Sequence, residues 1–78
     1  MNITLKLFTS LRRYLPEGCS GGACDLEVDP GTSVGEVLRR YGVPTEGIVI
    51  LVNGRSAGLG RVLEEDDVLA VFHALAGG

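Results

Sequence analysis

Alternating apolar and polar residues at the start of the chain predict a β-strand. Residues 3–8 read Ile-Thr-Leu-Lys-Leu-Phe, and side chains two apart along a strand share one face. The opposite face would carry Phe8, a large apolar side chain that breaks the run of polar residues there. The core face would carry Ile3, Leu5 and Leu7.

The chain then leaves the strand pattern before a second alternating segment. Residues 9–15 predict a short helical turn with Leu11 and Leu15 directed inward, and the glycine-rich residues 18–24 predict a loop. Residues 24–29 alternate again and predict a second strand, antiparallel to the first. Its outward face is an acidic row that suits an exposed sheet edge, made of Asp25, Glu27 and Asp29.

A capping box and a 3.6-residue apolar stripe predict one helix. Ser33, followed three residues later by Glu36, is typical of a helix start. Gly42 suits the position just after the helix, and Pro44 prevents its continuation. The apolar stripe that would pack on the sheet comprises Val34, Val37, Leu38 and Tyr41.

A continuous apolar run and a turn dipeptide predict a hairpin in the second half of the chain. Residues 48–52 read Ile-Val-Ile-Leu-Val, which indicates burial on both faces, or of one face against a partner. Asn53-Gly54 is the strongest hairpin signal in the sequence. Residues 55–61 include two glycines and predict an irregular return with at most a short strand.

The last strand is predicted over residues 68–72, after an acidic segment. Val62 and Leu63 are expected to return to the core first. The acidic residues 64–67 could hold a divalent cation, but a solvated, charge-steering role is favoured. Within the strand, Leu69 and Val71 would share one face, and the other would carry Ala70 and Phe72.

This order of elements predicts an α+β domain, a mixed sheet of four to five strands with one main helix on one face. If the first and last strands are neighbours in its middle, Phe8 and Phe72 meet on the uncovered face. Exposed apolar patches mark partner surfaces, although a single exposed phenylalanine needs no such explanation. For His73, which follows this patch, contact with a partner is favoured over a role in tuning the approach of a reagent.

Composition narrows the classes of function. The 78 residues support one domain, taken as residues 1–74, followed by a flexible tail at 75–78. The hydrophobic fraction of 45% predicts a folded chain, and the formal net charge of −3 disfavours nucleic-acid binding, so a basic partner surface fits better. No secretory leader or membrane-spanning run is visible, so a cytoplasmic location without a membrane partner is expected.

Two cysteines stand in or beside the glycine-rich loop. Cys19 and Cys24 have no second cysteine pair, and only one distant histidine could complete a zinc site, so no metal is expected. A disulfide between them is geometrically possible. Because disulfides are uncommon in a reducing compartment, two ordinary thiols are favoured.

The clearest candidate for chemistry is the end of the chain. No nucleophile–base set or phosphate-binding glycine motif is apparent elsewhere, so no catalytic site or bound cofactor of its own is expected. Without Cβ atoms, the final two glycines can lie extended in a narrow channel and deliver the terminal carboxylate to another protein's active site. The tail consists of Leu75, Ala76, Gly77 and Gly78.

Four segments together resemble the ubiquitin-like MoaD/ThiS sulfur carriers. They are the initial Ile-Thr-Leu-Lys-Leu-Phe, residues 30–38, the Val-Asn-Gly turn of residues 52–54 and the terminal Ala-Gly-Gly. The resemblance spans essentially the whole chain and implies a β-grasp fold. It also implies that Gly78 is adenylated by a ubiquitin-activating-type enzyme that uses MgATP. Sulfur from a persulfide donor then gives a thiocarboxylate, which supplies molybdopterin or the thiazole of thiamin.

The long stretch between the first two strands resembles the small subunit of molybdopterin synthase. This implies a large synthase-like subunit as partner and makes molybdopterin synthesis the favoured pathway. Two segments depart from the family: residues 65–67 read Glu-Asp-Asp where an Asp-Gly-Asp-like turn is frequent, and His73-Ala74 replace a common proline pair.

Three alternatives remain open at the level of the sequence. The first is a sulfur carrier for thiamin thiazole synthesis. The second is a protein modifier joined through Gly78, for which the single Lys6 disfavours self-linked chains. The third is an interaction module whose tail is chemically idle.

Overall fold

The computed structural model, which describes residues 1–19 and 21–74, contains a mixed sheet with a helix on one face. The sheet order is β2-β1-β5-β3-β4, with β1 and β5 parallel and the other neighbours antiparallel. This is the predicted β-grasp arrangement, with the first and last strands side by side. The strands are β1 (Asn2–Leu7), β2 (Ala23–Glu27), β3 (Ile48–Val52), β4 (Arg55–Ser56) and β5 (Val68–His73), and the helices are a 3₁₀ helix (Thr9–Tyr14) and α1 (Val34–Arg40).

The core lies between the sheet and α1, where the predicted apolar faces meet. Leu5 and Leu69 are partners in the β1–β5 pair, and both are fully buried. Leu11 of the 3₁₀ helix is also buried, whereas Leu15 is only partly buried. The two inward residues of the second alternating segment and three residues of the helix stripe also belong to the core: Leu26, Val28, Val34, Val37 and Leu38.

Helix α1 begins at the predicted capping box. The amide of Glu36 donates to the Ser33 hydroxyl (3.3 Å), and the amide of Ser33 donates to a carboxylate oxygen of Glu36 (3.1 Å). These bonds satisfy amides that have no partner inside the helix. The helix ends before Gly42, whose φ of +73° suits the residue that follows a helix.

The Asn53-Gly54 dipeptide forms the predicted hairpin between β3 and β4. Both residues have positive φ, +53° and +82°, as a two-residue type I′ hairpin turn requires. Val52 and Arg55 are therefore paired directly. The return strand is only two residues long, in agreement with the irregular segment expected after the turn.

Two expectations about burial are corrected by the packing. Val62 does not return to the core with Leu63: its side chain is 51% exposed, whereas Leu63 is 2% exposed. Consecutive residues of an extended segment point in opposite directions, so only one of them can reach the core. The apolar run of β3 is also not buried on both faces, since Ile50 and Val52 are buried whereas its other face is only partly covered.

The acidic segment before β5 is partly structural, contrary to the favoured solvated role. Asp67 is only 6% exposed. Its carboxylate accepts hydrogen bonds from the Asn53 side-chain amide (2.8 Å) and from the backbone amide of Glu64 (2.8 Å). It thereby joins the β3–β4 turn to the start of β5. Asp66 has a φ of +68°, in the left-handed region that favours glycine, which fits the glycine of the related Asp-Gly-Asp-like turn.

The preference for two free thiols is wrong in this structure, because Cys19 and Cys24 form a disulfide. Gly21 and Gly22 both have positive φ and fold the loop back on itself. This places the two cysteine Cα atoms 5.2 Å apart, inside the range that a disulfide spans. The bridge closes the loop that leads into β2.

Removing the Asp67 carboxylate should destabilise the domain. We expect Asp67→Ala to lower the free energy of unfolding by about 2–3 kcal/mol, because charged hydrogen bonds are lost and partly buried donors are left unpaired. Chemical denaturation measures the change. Glu46→Ala, at an exposed acidic position, is the control and should alter stability little. Equal effects of the two substitutions would contradict the structural role of Asp67.

The disulfide can be tested by mass spectrometry. When the protein is unfolded in the presence of iodoacetamide but without reductant, its cysteines should remain unalkylated. Its mass should be lower than that of the dithiol form by two hydrogen atoms. Prior reduction should allow two alkylations. Double alkylation without reductant, in protein purified under air, would instead support the two free thiols expected from the sequence.

Candidate interaction face and base of the tail

The C-terminal tail starts from the middle strand of the sheet. Because β5 runs parallel to β1 and antiparallel to β3, it ends beside the last residue of β1 and the first of β3. The amide of Ala74 donates to the carbonyl of Gly47 (2.9 Å), the residue just before β3. The predicted tail residues Leu75, Ala76, Gly77 and Gly78 lie outside the described residues.

Phe8 and Phe72 meet next to this exit, as the sequence predicted. Their ring centroids are 5.8 Å apart and their planes cross at 86°, an edge-to-face contact. The amide of Phe8 also donates to the carbonyl of Val71 (3.3 Å). Phe8 remains 39% exposed, so contact with Phe72 buries only part of its ring.

The two rings belong to a larger apolar area on the sheet face that α1 does not cover. Val49 is the direct partner of Phe72 across the β3–β5 pair, and Leu51 is the partner of Ala70. All four side chains are only partly buried. We call these residues, together with Phe8, the open-face patch: Phe8, Val49, Leu51, Ala70 and Phe72.

Sequence reasoning found the aromatic pair but not the contribution of β3. The signal was the continuous apolar run of residues 48–52, which allowed contact of one face with a partner but did not assign Val49 and Leu51 to a face. The register of β3 against β5 makes that assignment.

The other half of the open face is polar. Thr4 donates to the carboxylate of Asp25 across the β1–β2 pair (2.9 Å), and Lys6 and Glu27 are exposed. The face is therefore apolar along β5 and β3 and charged along β1 and β2. A partner that covers it needs an apolar surface opposite β5 and β3 and, next to it, a polar surface opposite β1 and β2; protein interfaces commonly combine the two.

His73 does not share the face of Phe72. Alternation along β5 directs it to the face that carries the helices, in register with Ile48. Its Nε2 atom lies 2.8 Å from the hydroxyl of Ser10 in the 3₁₀ helix. The structure thus places Phe8 and Phe72 together and sets His73 on the opposite side of the tail's base, which separates the three predicted partner-binding residues.

Among residues 1–19 and 21–74, no cluster of three His, Cys, Asp or Glu side chains has the arrangement of a metal site. Neither helix in this part of the chain has the length and apolar character that crossing a bilayer requires.

Comparisons with known proteins identify the relatives of this fold. The family model described as Mut7-C ubiquitin matches residues 1–75. No curated protein sequence is significantly similar to the chain.

Solved structures share the fold over nearly the full length. The crystal structure of SAMP1 from Haloferax volcanii is 25% identical, with complete coverage of both chains and a TM-score of 0.76. A crystal structure of the H. volcanii small archaeal modifier protein 1 is 24% identical over 95% of this chain and 98% of its own, with a TM-score of 0.74. A putative molybdopterin converting factor subunit 1 from Pyrococcus furiosus is 19% identical over the same shares, with a TM-score of 0.73.

If the open-face patch is a binding surface, a charge introduced within it should weaken binding to a partner. We expect Phe72→Asp to weaken binding to the ubiquitin-activating-type enzyme, the partner that the resemblance to sulfur carriers implies, about 30-fold, the loss typical of a central aromatic contact. Because Phe72 is only partly buried, the domain should remain folded. Titration calorimetry measures the affinity, and circular dichroism monitors the fold.

Val62→Asp is the matched control, because Val62 is an exposed apolar residue beside the start of α1, away from the open face. It should leave the affinity unchanged. Equal affinities of the Phe72 and Val62 variants would remove the patch from the interface.

Proposed function

The chain belongs to the Mut7-C ubiquitin family, and from this premise we propose that it is a ubiquitin-like sulfur carrier whose reactive group is the carboxylate of Gly78. The observation that supports the proposal is the position of the tail in the sequence, directly after the central strand of the sheet. The central strand of a β-grasp sheet ends at His73, and five residues later the sequence ends in two glycines. In this proposal the partner enzymes recognise the folded domain, and the terminal carboxylate is the group on which they act.

The chemistry requires activation because a carboxylate is ionised at neutral pH, with a reference pKa of about 3.3–3.7, and is a poor electrophile. A carboxylate oxygen of Gly78 attacks the α-phosphorus of MgATP on the partner enzyme, and pyrophosphate leaves. The terminal sulfur of a persulfide then attacks the carbonyl carbon and displaces AMP. A second thiol cleaves the resulting acyl disulfide by thiol–disulfide exchange and leaves a thiocarboxylate on Gly78.

The two terminal glycines suit this sequence of reactions. Without Cβ atoms they fit an extended conformation in a narrow channel, and such a channel can keep water from the adenylate and thereby limit hydrolysis. The open-face patch is the surface that we assign to docking on the activating enzyme. Its apolar strip along β5 and β3 is continuous with the base of the tail, because Phe72 is the second-last residue of β5.

Molybdopterin synthesis is the pathway that we propose for the sulfur. It is supported by the stretch between β1 and β2, which forms a 3₁₀ helix over Thr9–Tyr14 where the shorter thiamin carriers have less chain. The shared fold with a putative molybdopterin converting factor subunit is consistent with it. A large synthase-like subunit would then receive the tail, and the cytoplasm, where MgATP and persulfide donors occur, would be the working compartment.

A protein modifier is the second candidate, and the similarity to SAMP1 favours it. In that case an amine of another protein, rather than sulfur, attacks the adenylate or a derived thioester and forms an isopeptide. Lys6 is the single lysine, and it is exposed on β1 beside the apolar strip. Attachment of a second copy at Lys6 would crowd the docking face, so single attachments are expected rather than chains.

Mass spectrometry separates the two functions. Protein isolated from its native cells without thiol scavengers should contain a species in which one oxygen of the Gly78 carboxylate is replaced by sulfur. Deletion of the gene should abolish molybdoenzyme activity in these cells. Removal of the Gly78 codon alone should have the same effect. Restoration of molybdoenzyme activity by the protein without Gly78 would contradict the proposal.

The alternatives give distinct results in the same cells. Isopeptides between Gly78 and lysines of other proteins, without a thiocarboxylate, would support the modifier. Growth that depends on thiamin would move the carrier to thiazole synthesis.

A further inference from the structure

Thr9 has an unusual backbone conformation next to the base of the tail. Its φ of +52° lies in the left-handed region, which a β-branched residue rarely occupies. Its hydroxyl donates to the carbonyl of Phe8 (2.7 Å), a local bond. Conformations of this kind persist only where the surroundings hold them, and they are concentrated at sites where geometry matters. The contacts that hold Thr9 in this conformation involve the residues on either side of it.

The residues that flank Thr9 hold the last two residues of β5 from opposite faces of the sheet. Phe8 lies on the open face and contacts the ring of Phe72 edge to face. Ser10 lies on the helix face, and its hydroxyl is 2.8 Å from Nε2 of His73. Phe72 and His73 are consecutive in an extended strand and so point in opposite directions. A strand that continued regularly through Thr9 would return Ser10 to the side of Phe8, and the left-handed residue prevents this.

We propose that Phe8, Thr9 and Ser10 form a clamp on the end of β5 that fixes the direction in which the chain leaves the domain. Ser10 and His73 are then positioning residues for delivery of Gly78, an assignment that rests on the proposed function. On the other side of the exit, the bond from Ala74 to the carbonyl of Gly47 attaches the chain to the start of β3. The path is thus held on one side by the clamp, which follows β1, and on the other by a backbone bond to the residue before β3.

The Ser10–His73 contact does not depend on one protonation state of the imidazole. A hydroxyl can donate to an unprotonated ring nitrogen or accept from a protonated one, so the contact forms in either charge state of the imidazole. Both residues are exposed, and exposed hydrogen bonds contribute little to global stability. We therefore expect the contact to restrict the conformations of the adjoining chain rather than to raise global stability. Such restriction lowers the conformational entropy that is lost when a partner binds the tail.

Backbone ¹⁵N relaxation of the whole protein tests the clamp directly. In Ser10→Ala and His73→Ala, the heteronuclear NOE of Ala74 should fall, with little change in melting temperature. Ser10→Thr retains the hydroxyl and His73→Gln retains a nitrogen of similar reach, so both should preserve the wild-type values. Tyr14→Phe, which removes an exposed hydrogen bond with Arg13 at the far end of the same 3₁₀ helix, is the control. Unchanged relaxation in both alanine variants would overturn the clamp.

Steady-state kinetics with the activating enzyme from the same genome and MgATP test the positioning role. The open-face patch is intact in Ser10→Ala and His73→Ala, so KM for the carrier should stay close to wild type. The rate of adenylation at saturation, kcat, should fall about three- to tenfold because fewer bound carriers present the tail productively. Ser10→Thr should restore kcat, and Tyr14→Phe should not change it.

A loosened tail base with unchanged kcat would overturn the positioning role. Failure of the wild-type protein to be adenylated would instead contradict the proposed function, and the relaxation measurements would still decide whether the clamp exists.

Discussion

Parallel pairing of β1 with β5 is the constraint on which the rest of the structure depends. It joins the two ends of the sequence in the middle of the sheet, with Leu5 opposite Leu69 and Leu7 opposite Val71. Parallel neighbours require a long crossover, and here the intervening chain supplies α1 to cover the buried face. The same pairing places the end of β5 next to Phe8 and the 3₁₀ helix. The core, the open-face patch and the base of the tail are thus three results of one pairing.

The two faces of the sheet have different tasks because α1 covers only one of them. Burial against the helix accounts for Leu69 and Val71, whereas Ala70 and Phe72, which alternate with them, remain partly exposed on the other face. Core packing and the proposed recognition surface therefore use alternate residues of the same strand. This arrangement suits a small protein that is passed between partners, since a change in the open-face patch need not disturb the core.

The proposed chemistry belongs to the chain terminus, and the domain serves it by recognition and direction. A thiocarboxylate stores one sulfur on the backbone itself, so no side-chain nucleophile or resident cofactor is needed in the carrier. In the proposed reaction, the free energy that activates the carboxylate would come from MgATP on the partner. What the carrier can contribute is a docking surface and a defined start to the tail, the two roles that we propose for the open-face patch and for the contacts at the end of β5.

The disulfide and the Asp67 contacts illustrate the limits of sequence reasoning in different ways. The compartment argument against a disulfide used chemistry outside the chain, whereas the bridge depends on how Gly21 and Gly22 fold the loop. Asp67 looked like one of four solvated acids. Its burial arises because the β3–β4 turn brings Asn53 against it, a contact that an acidic run by itself does not reveal.

The sequence by itself determined which residues of β1, β2 and β5 share a face, where α1 begins and where the hairpin turns. Those features depend on side-chain periodicity, a capping box and an Asn-Gly turn, all of which act within a few residues. It also supported the pairing of first and last strands, and with it the contact of Phe8 with Phe72. Only the tertiary structure decided that His73 meets Ser10, 63 residues away, and that Val49 and Leu51 extend the open-face patch. Such contacts depend on register and on the path of the 3₁₀ helix, whereas a local pattern specifies the face of a residue and not its neighbour.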